Sequence, residues 1–178
     1  MTFTGHNDGA IIPAVEIPLA LSLRQPLAWL VARGFKPLEN RPWRAHVRGV
    51  FLIHASSNRK PYPLPEADYI KKRLDWAQWE DYQRAELAYG ALIGAGVIQT
   101  CVDENTSYLT DRRFWLGPYA LVVIKAHLFE KPIPCPGGQK WFTPRLDEAG
   151  REILLREFEK RGTLWQNPAQ QLTLKTQS

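Results

Sequence analysis

The chain predicts an α+β domain whose core is a small curved sheet or barrel. Three observations carry that expectation. RGVFLIHAS (48–56), ALIGAGVIQTCV (91–102) and YALVVIKAHLF (119–129) are largely apolar runs of strand length. One short early helix and one longer helical stretch interrupt these strands without alternating regularly with them. Gly94 and Gly96, inside the second run, mark a bulge or sharp bend of the kind that closes small barrels.

The elements follow in order. Residues 1–15 are small, polar and turn-prone, and read as a flexible N-terminal arm. IPLALSL (17–23) reads as a first strand, and Ser22 is placed to cap a helix over about 25–33. That helix groups Leu27, Leu30 and Val31 on one side, tolerates Pro26 in its first turn and closes at Gly34. In 48–56 the alternation sends Val50, Leu52 and His54 one way and Phe51, Ile53 and Ala55 the other. PYPLP (61–65) punctuates the chain before a helical stretch over 66–88, which carries Trp76 and Trp79. WLGPY (115–119) is a turn, and PIPCPGGQKWF (132–142) a loop ending in an apolar pair. Asp147 caps a last helix to Arg161, with Ile153, Leu154 and Phe158 inward and Gly162 as terminator. The expected organisation is the arm at 1–15, a domain over 16–146 with a helical insert at about 61–90, and a C-terminal helix with a loose tail over 147–178.

Bulk composition narrows the class. The 178 residues suit one domain, with 44% hydrophobic and 23% charged residues. No run of about 18 apolar residues exists, and the first residues lack the layout of a signal peptide. Cys101 and Cys135 are too few and isolated for a disulfide framework or a zinc site, so a reducing cytoplasm is expected. The net charge of +5 is unevenly spread: residues 24–60 hold eight Lys or Arg against one acid, Glu39, and the rest of the chain is net −2. Such a concentration suits an anion or nucleic-acid binder, or a solubilising face.

The residues of this basic stretch carry a resemblance. SLRQPLAWLVARGFKPLENRPW followed by RGVFLIHAS resembles the signature of the ASCH domain, the activating signal cointegrator 1 homology module. The usual pattern is a strand ending S-x-R-Q-P-W-A, a helix ending G-x-K, then E-x-R and a strand close to L-I-H-A-S. GALIGAGVIQTCV, WLGPYALVV and PIPCPGGQKWF resemble the domain's later strands, so the likeness runs from about 19 to 142. It implies a PUA-like small β-barrel with flanking α-helices and a cleft between barrel and first helix. Relatives in that superfamily commonly bind RNA or read modified bases. One more distant branch hydrolyses N4-acetylcytidine, and metal-assisted RNA cleavage has been attributed to bacterial members.

The candidate ligand-binding residues are Arg24, Gln25, Lys36, Glu39, Arg41, Trp43, His54, Ser56 and Lys60. Lys36 is expected at the cleft as a mobile point charge suited to a phosphate or acyl oxygen, against the blander reading of a solvated lysine. Arg41 shares a strand face with Glu39 and can clamp a phosphate or stack on a base. Glu39 is either an ionised acceptor and metal ligand or the neutralising partner of its two cations. Trp43 can stack on a base or line the barrel wall. Arg24 and Gln25 sit at the strand-to-helix turn, where Gln25 can instead cap its own helix. His54 is either a general acid–base or a hydrogen-bonded core residue. Arg59 and Lys60 extend the basic track. Lys140 and Trp141 could close the cleft opposite, with the core reading preferred for Trp141.

The expected function is a cytoplasmic binding module that holds single-stranded RNA, or one modified nucleotide, in the basic cleft. An RNA-processing hydrolase is the alternative, with Lys36 and Glu39 as catalytic candidates and no cofactor unless a nuclease used magnesium. The acetylcytidine-cleaving branch reads Lys-x-x-Thr-x-Arg, with the threonine as nucleophile. Here Glu39 stands at that position, and a carboxylate cannot perform the same hydroxyl attack. Magnesium would need oxygen ligands, and Asp103, Glu104 and Asp111 are acids that could fold over the cleft. A third reading is a protein-interaction domain using Trp76 and Trp79.

Overall fold

A computed structural model describes residues 16–60 and 66–160. The expected arm at 1–15, PYPLP, Gly162 and the C-terminal tail lie outside the described residues.

Six strands form one curled, half-barrel sheet: β1 (Ala20–Leu23), β2 (Leu38–Arg41), β3 (Gly49–Ala55), β4 (Ala91–Asp103), β5 (Tyr119–Pro134) and β6 (Trp141–Phe142). Their order across the sheet is β2-β5-β4-β3-β1-β6. Long antiparallel pairings join β3 to β4 and β4 to β5, while β1 runs parallel to β3 with Ser22 opposite His54 and Leu23 opposite Ala55. Both strands of that parallel pair therefore end at the same rim. The three strand runs read from sequence are all present, and the alternation in β3 holds. Phe51, Ile53 and Ala55 join the larger core with Trp29, Leu30 and Ile70, while Leu52 joins a second core with Phe129 and Leu154.

The sheet bends where the glycines stand. The register shifts between Leu92 and Gly94 and again between Val97 and Thr100. A Cβ on Gly94 would lie 2.3 Å from the His127 carbonyl oxygen and 3.0 Å from the Ala32 Cβ. The backbones of β4 and β5 approach at a distance only glycine permits. Gly94→Ala should therefore cost about 1–3 kcal/mol in urea unfolding, as overpacking does when backbone must move. An unchanged midpoint would show that the strands can separate at no cost.

Four helices cover the sheet. α1 (Leu27–Ala32) is buried along its whole length in the larger core, and Gly34 at φ +73° turns the chain out of it. Ser22 does not cap it. Gln25 does, its Oε1 accepting from the Trp29 N–H at 3.0 Å, because β1 continues through Leu23 and carries Ser22 into the sheet. The stretch 66–88 is two helices, α2 (Glu66–Lys71) and α3 (Trp76–Gln83). The break is a capping box: Asp75 accepts from the Gln78 N–H and the Gln78 side chain accepts from the Asp75 N–H. Trp76 stands 73% exposed on α3, whereas Trp79 packs against Tyr82. α4 (Glu148–Glu159) is capped by Asp147 and turns Leu154, with Ile153 and Phe158, onto β5. Among the described residues no helix is long and apolar enough to cross a membrane.

Candidate nucleic-acid interface

The edge strand β2 lies farthest from β1 in sheet order, yet the curl of the sheet brings the two back together. No strand pairing closes that gap; side chains do. The Arg41 guanidinium donates from Nη2 to the Ser22 carbonyl oxygen at 3.0 Å, joining β2 to β1. Just beyond it, Trp43 meets Trp141 of β6 edge to face at 6.3 Å, and Trp141 meets Phe51 the same way at 6.0 Å. Arg41 also lies 5.9 Å from the Trp43 ring.

Glu39 organises this seam. One carboxylate oxygen takes Arg41 Nη2 at 3.1 Å, and the other takes Lys36 Nζ at 2.9 Å. Lys36 also donates to the Leu38 carbonyl oxygen. The expected mobile lysine is a correction: Lys36 is only 1% exposed and its ammonium is tied down twice. The reason is chain geometry. Gly34 directs Lys36 back beneath β2, where the i,i+3 carboxylate and a free edge carbonyl are the polar partners at hand.

Above the seam opens a cleft of about 670 Å³, lined at the β1–α1 rim by Ser22, Leu23, Arg24 and Leu27. Lys36, Glu39, Asn40 and Arg41 form its floor on the β2 side, and Ser56, Asn58, Leu116 and Gln139 complete the walls. Five of the nine candidates thus come together: Arg24, Lys36, Glu39, Arg41 and Ser56. Arg24 is exposed, and its side chain makes no hydrogen bond or ion pair with the described residues. Ser56 is held by its N–H to the Leu23 carbonyl at 2.8 Å, and its hydroxyl oxygen accepts from the Asn58 N–H.

The other four stand elsewhere. Gln25 spends its amide on Trp29 and the Ala88 carbonyl and faces a second hollow. Trp43 belongs to the seam. Lys60 and Arg59 are exposed beyond the wall, Arg59 over the Tyr89 ring at 4.5 Å. His54 is a buried bridge: Nε2–H donates to the Cys135 carbonyl at 3.1 Å, leaving Nδ1 to accept from the Ser22 hydroxyl at 3.0 Å. The acids expected near the cleft are likewise committed away from it. Asp103 binds Thr106 and Arg44, Asp111 binds Arg113, and Glu104 is exposed outside the lining. Among the described residues no three His, Cys, Asp or Glu side chains assemble as a metal set. Lys140, expected to close the cleft with Trp141, is replaced there by its neighbour Gln139.

Sequence reasoning missed Ser22 as a wall residue, and Asn40, Asn58 and Gln139 altogether. Asn40 is turned by strand alternation to the face opposite Glu39 and Arg41, so spacing did not group it with them. Its amide donates to the Phe114 carbonyl and accepts from the Leu116 N–H, which anchors that wall of the cleft.

Burial pushes the His54 imidazole below its usual 6.5, opposed only by its bond to Cys135. As pH falls below 6.5 the unfolded chain therefore takes up this proton first, and folding stability drops. The contribution is fully present above that pH. Thermal unfolding at pH 7.5 and 5.5 should show a smaller loss in His54→Gln than in the wild type; equal losses would remove His54 from the account.

The family profile for the ASCH domain matches residues 21–126, more than half of the chain. The chain belongs to the ASCH domain family. Its structure is similar to the crystal structure of ASCH from Zymomonas mobilis, at 15% identity and a TM-score of 0.47, covering 78% of this chain and 94% of that one. A mutant protein of the same Zymomonas mobilis ASCH is similar at 15% identity and a TM-score of 0.43, with the same coverage. A comparison with curated proteins yields no match. In this ASCH domain the block S-L-R-Q-P through L-E-N-R spans the β1–α1 rim and the β2 floor of the cleft, within the matched range.

Proposed function

We propose that this ASCH domain binds single-stranded RNA, or one modified nucleotide, in the cleft between β1, α1 and β2. The observation that carries the reading is the imbalance of the lining. Among the described residues the Arg24 side chain has no partner, and Arg41 meets Ser22 and Glu39 through Nη2. The one carboxylate present, Glu39, has both oxygens engaged. A cleft with cationic donors to spare and no spare acid attracts a phosphate backbone. Family kinship supports a nucleic-acid partner in general, and this imbalance favours the cleft as the contact. Ser56, Asn58 and Gln139 would supply the neutral hydrogen-bonding groups that read an unstacked base.

Tryptophan fluorescence titration with a short single-stranded RNA at 50 and 200 mM KCl tests this. Two phosphate contacts on a single strand imply a log–log salt slope of about −1.4, hence roughly sevenfold weaker binding at the higher salt. Binding that ignores salt, or none at all, would overturn the reading.

A further inference from the structure

The donor census of the cleft says more about the ligand than that it is nucleic acid. The following rests on the cleft being the ligand site. Lys36 and Glu39 cancel each other in charge: the ammonium is buried on Leu38 and Glu39, and the carboxylate is shared between Lys36 and Arg41. Asn40 spends both ends of its amide on the 114–116 wall. What faces a ligand is the guanidinium of Arg24, the part of the Arg41 guanidinium not spent on Ser22 and Glu39, and the side chains of Ser56, Asn58 and Gln139. The Ser56 hydroxyl oxygen accepts from the Asn58 N–H, which leaves its proton to donate. The Asn58 carbonyl oxygen is taken by the Lys60 N–H, which leaves its NH₂. Formal charge in the lining, with the Lys36–Glu39 pair cancelled, is +2 from Arg24 and Arg41.

Two cations and several donors match a group with three acceptor oxygens and close to two negative charges. An internal phosphodiester has one charge and two free oxygens. A phosphate monoester carries about −1.5 to −2 at neutral pH and three acceptor oxygens. We infer that the cleft recognises the terminal phosphate monoester of a nucleotide or oligonucleotide, with the guanidinium groups of Arg24 and Arg41 on the phosphate oxygens. The strand's internal backbone then leaves past Asn58 toward exposed Arg59 and Lys60.

The test uses the full chain and one RNA oligomer prepared three ways: with a 5′-phosphate, with a 3′-phosphate, and with hydroxyls at both ends. A nucleoside monophosphate and inorganic phosphate serve as competitors. One phosphorylated form should bind at least about tenfold more tightly than the hydroxyl form, since an added charge beside a guanidinium strengthens hydrogen bonds to it. Arg24→Ala, an exposed change, should erase that preference while leaving the thermal unfolding midpoint unchanged. Competition by the mononucleotide at similar concentration supports the same chemistry with a free nucleotide as its source. Competition by inorganic phosphate alone, with no end preference among the oligomers, overturns it as an adventitious anion site. Equal binding of all three oligomers, weakened alike by Arg24→Ala, overturns the end recognition and leaves RNA binding standing. If none of the three binds, both readings fall.

Discussion

Glu39→Ala should destabilise the protein by about 3–5 kcal/mol, the range for removing one partner of a buried ion pair. The cause is what stays behind. Lys36 is 1% exposed, and without Glu39 its ammonium retains only the Leu38 carbonyl. Arg41 loses the carboxylate that aims it at Ser22, so the link between β2 and β1 loosens as well. Lys36→Met should be milder, at about 1–2 kcal/mol, because Glu39 keeps the half-exposed Arg41 as partner. A Lys36→Met/Glu39→Leu double variant should recover much of the loss, since an apolar replacement leaves no orphaned charge. Urea unfolding of the three variants measures all of this. If Glu39→Ala unfolds at the wild-type midpoint, the triad is not what closes the half-barrel.

The second large effect concerns binding. Arg24→Ala/Arg41→Ala should weaken single-stranded RNA binding by 10- to 100-fold, on the order of 1.4–2.8 kcal/mol. It should also flatten the salt slope by about 1.4, because two phosphate contacts are gone. Arg24→Ala alone should leave stability unchanged, as this exposed side chain makes no hydrogen bond or ion pair among the described residues. Arg41→Ala will cost some stability through the lost Ser22 bond. Separating the two variants therefore separates recognition from scaffolding. Unaltered binding in the double variant would move the interface elsewhere.

These expectations assign Glu39 a positioning role. It holds Arg41 on one oxygen and Lys36 on the other, leaving neither oxygen for a ligand. Its two sequence readings, acceptor or neutralising partner, separate only through distances that a linear chain does not display. The same holds for Lys36. Lysines are mostly exposed, and only closure of the sheet's two edges over this one makes burial with a carboxylate the outcome. His54 and Trp43 each had two readings for a similar reason: period 2 assigns a face, but which face meets the cleft depends on how far the sheet curls.

What local chemistry governs was legible. β3, β4 and β5 announce themselves by apolar runs, and the glycines of β4 by their place inside one. α4 begins where its capping aspartate stands. The break between α2 and α3 was also written in the chain, as Asp75 followed three residues later by Gln78, although apolar spacing across 66–88 suggested one helix. β2 is harder. Leu-Glu-Asn-Arg has one apolar residue in four, and it forms a strand because β5 offers it a free edge, with Leu38 opposite Val122.

The most direct measurement is the NMR spectrum of the arginine Nε–H groups during titration with a short single-stranded RNA. Arg24 and Arg41, whose guanidinium groups line the cleft, should shift strongly. Arg33 and Arg113, paired with Asp81 and Asp111 away from the cleft, should stay in place. Shifts confined to such outlying arginines, with Arg24 and Arg41 unmoved at saturation, would contradict the cleft as the ligand site.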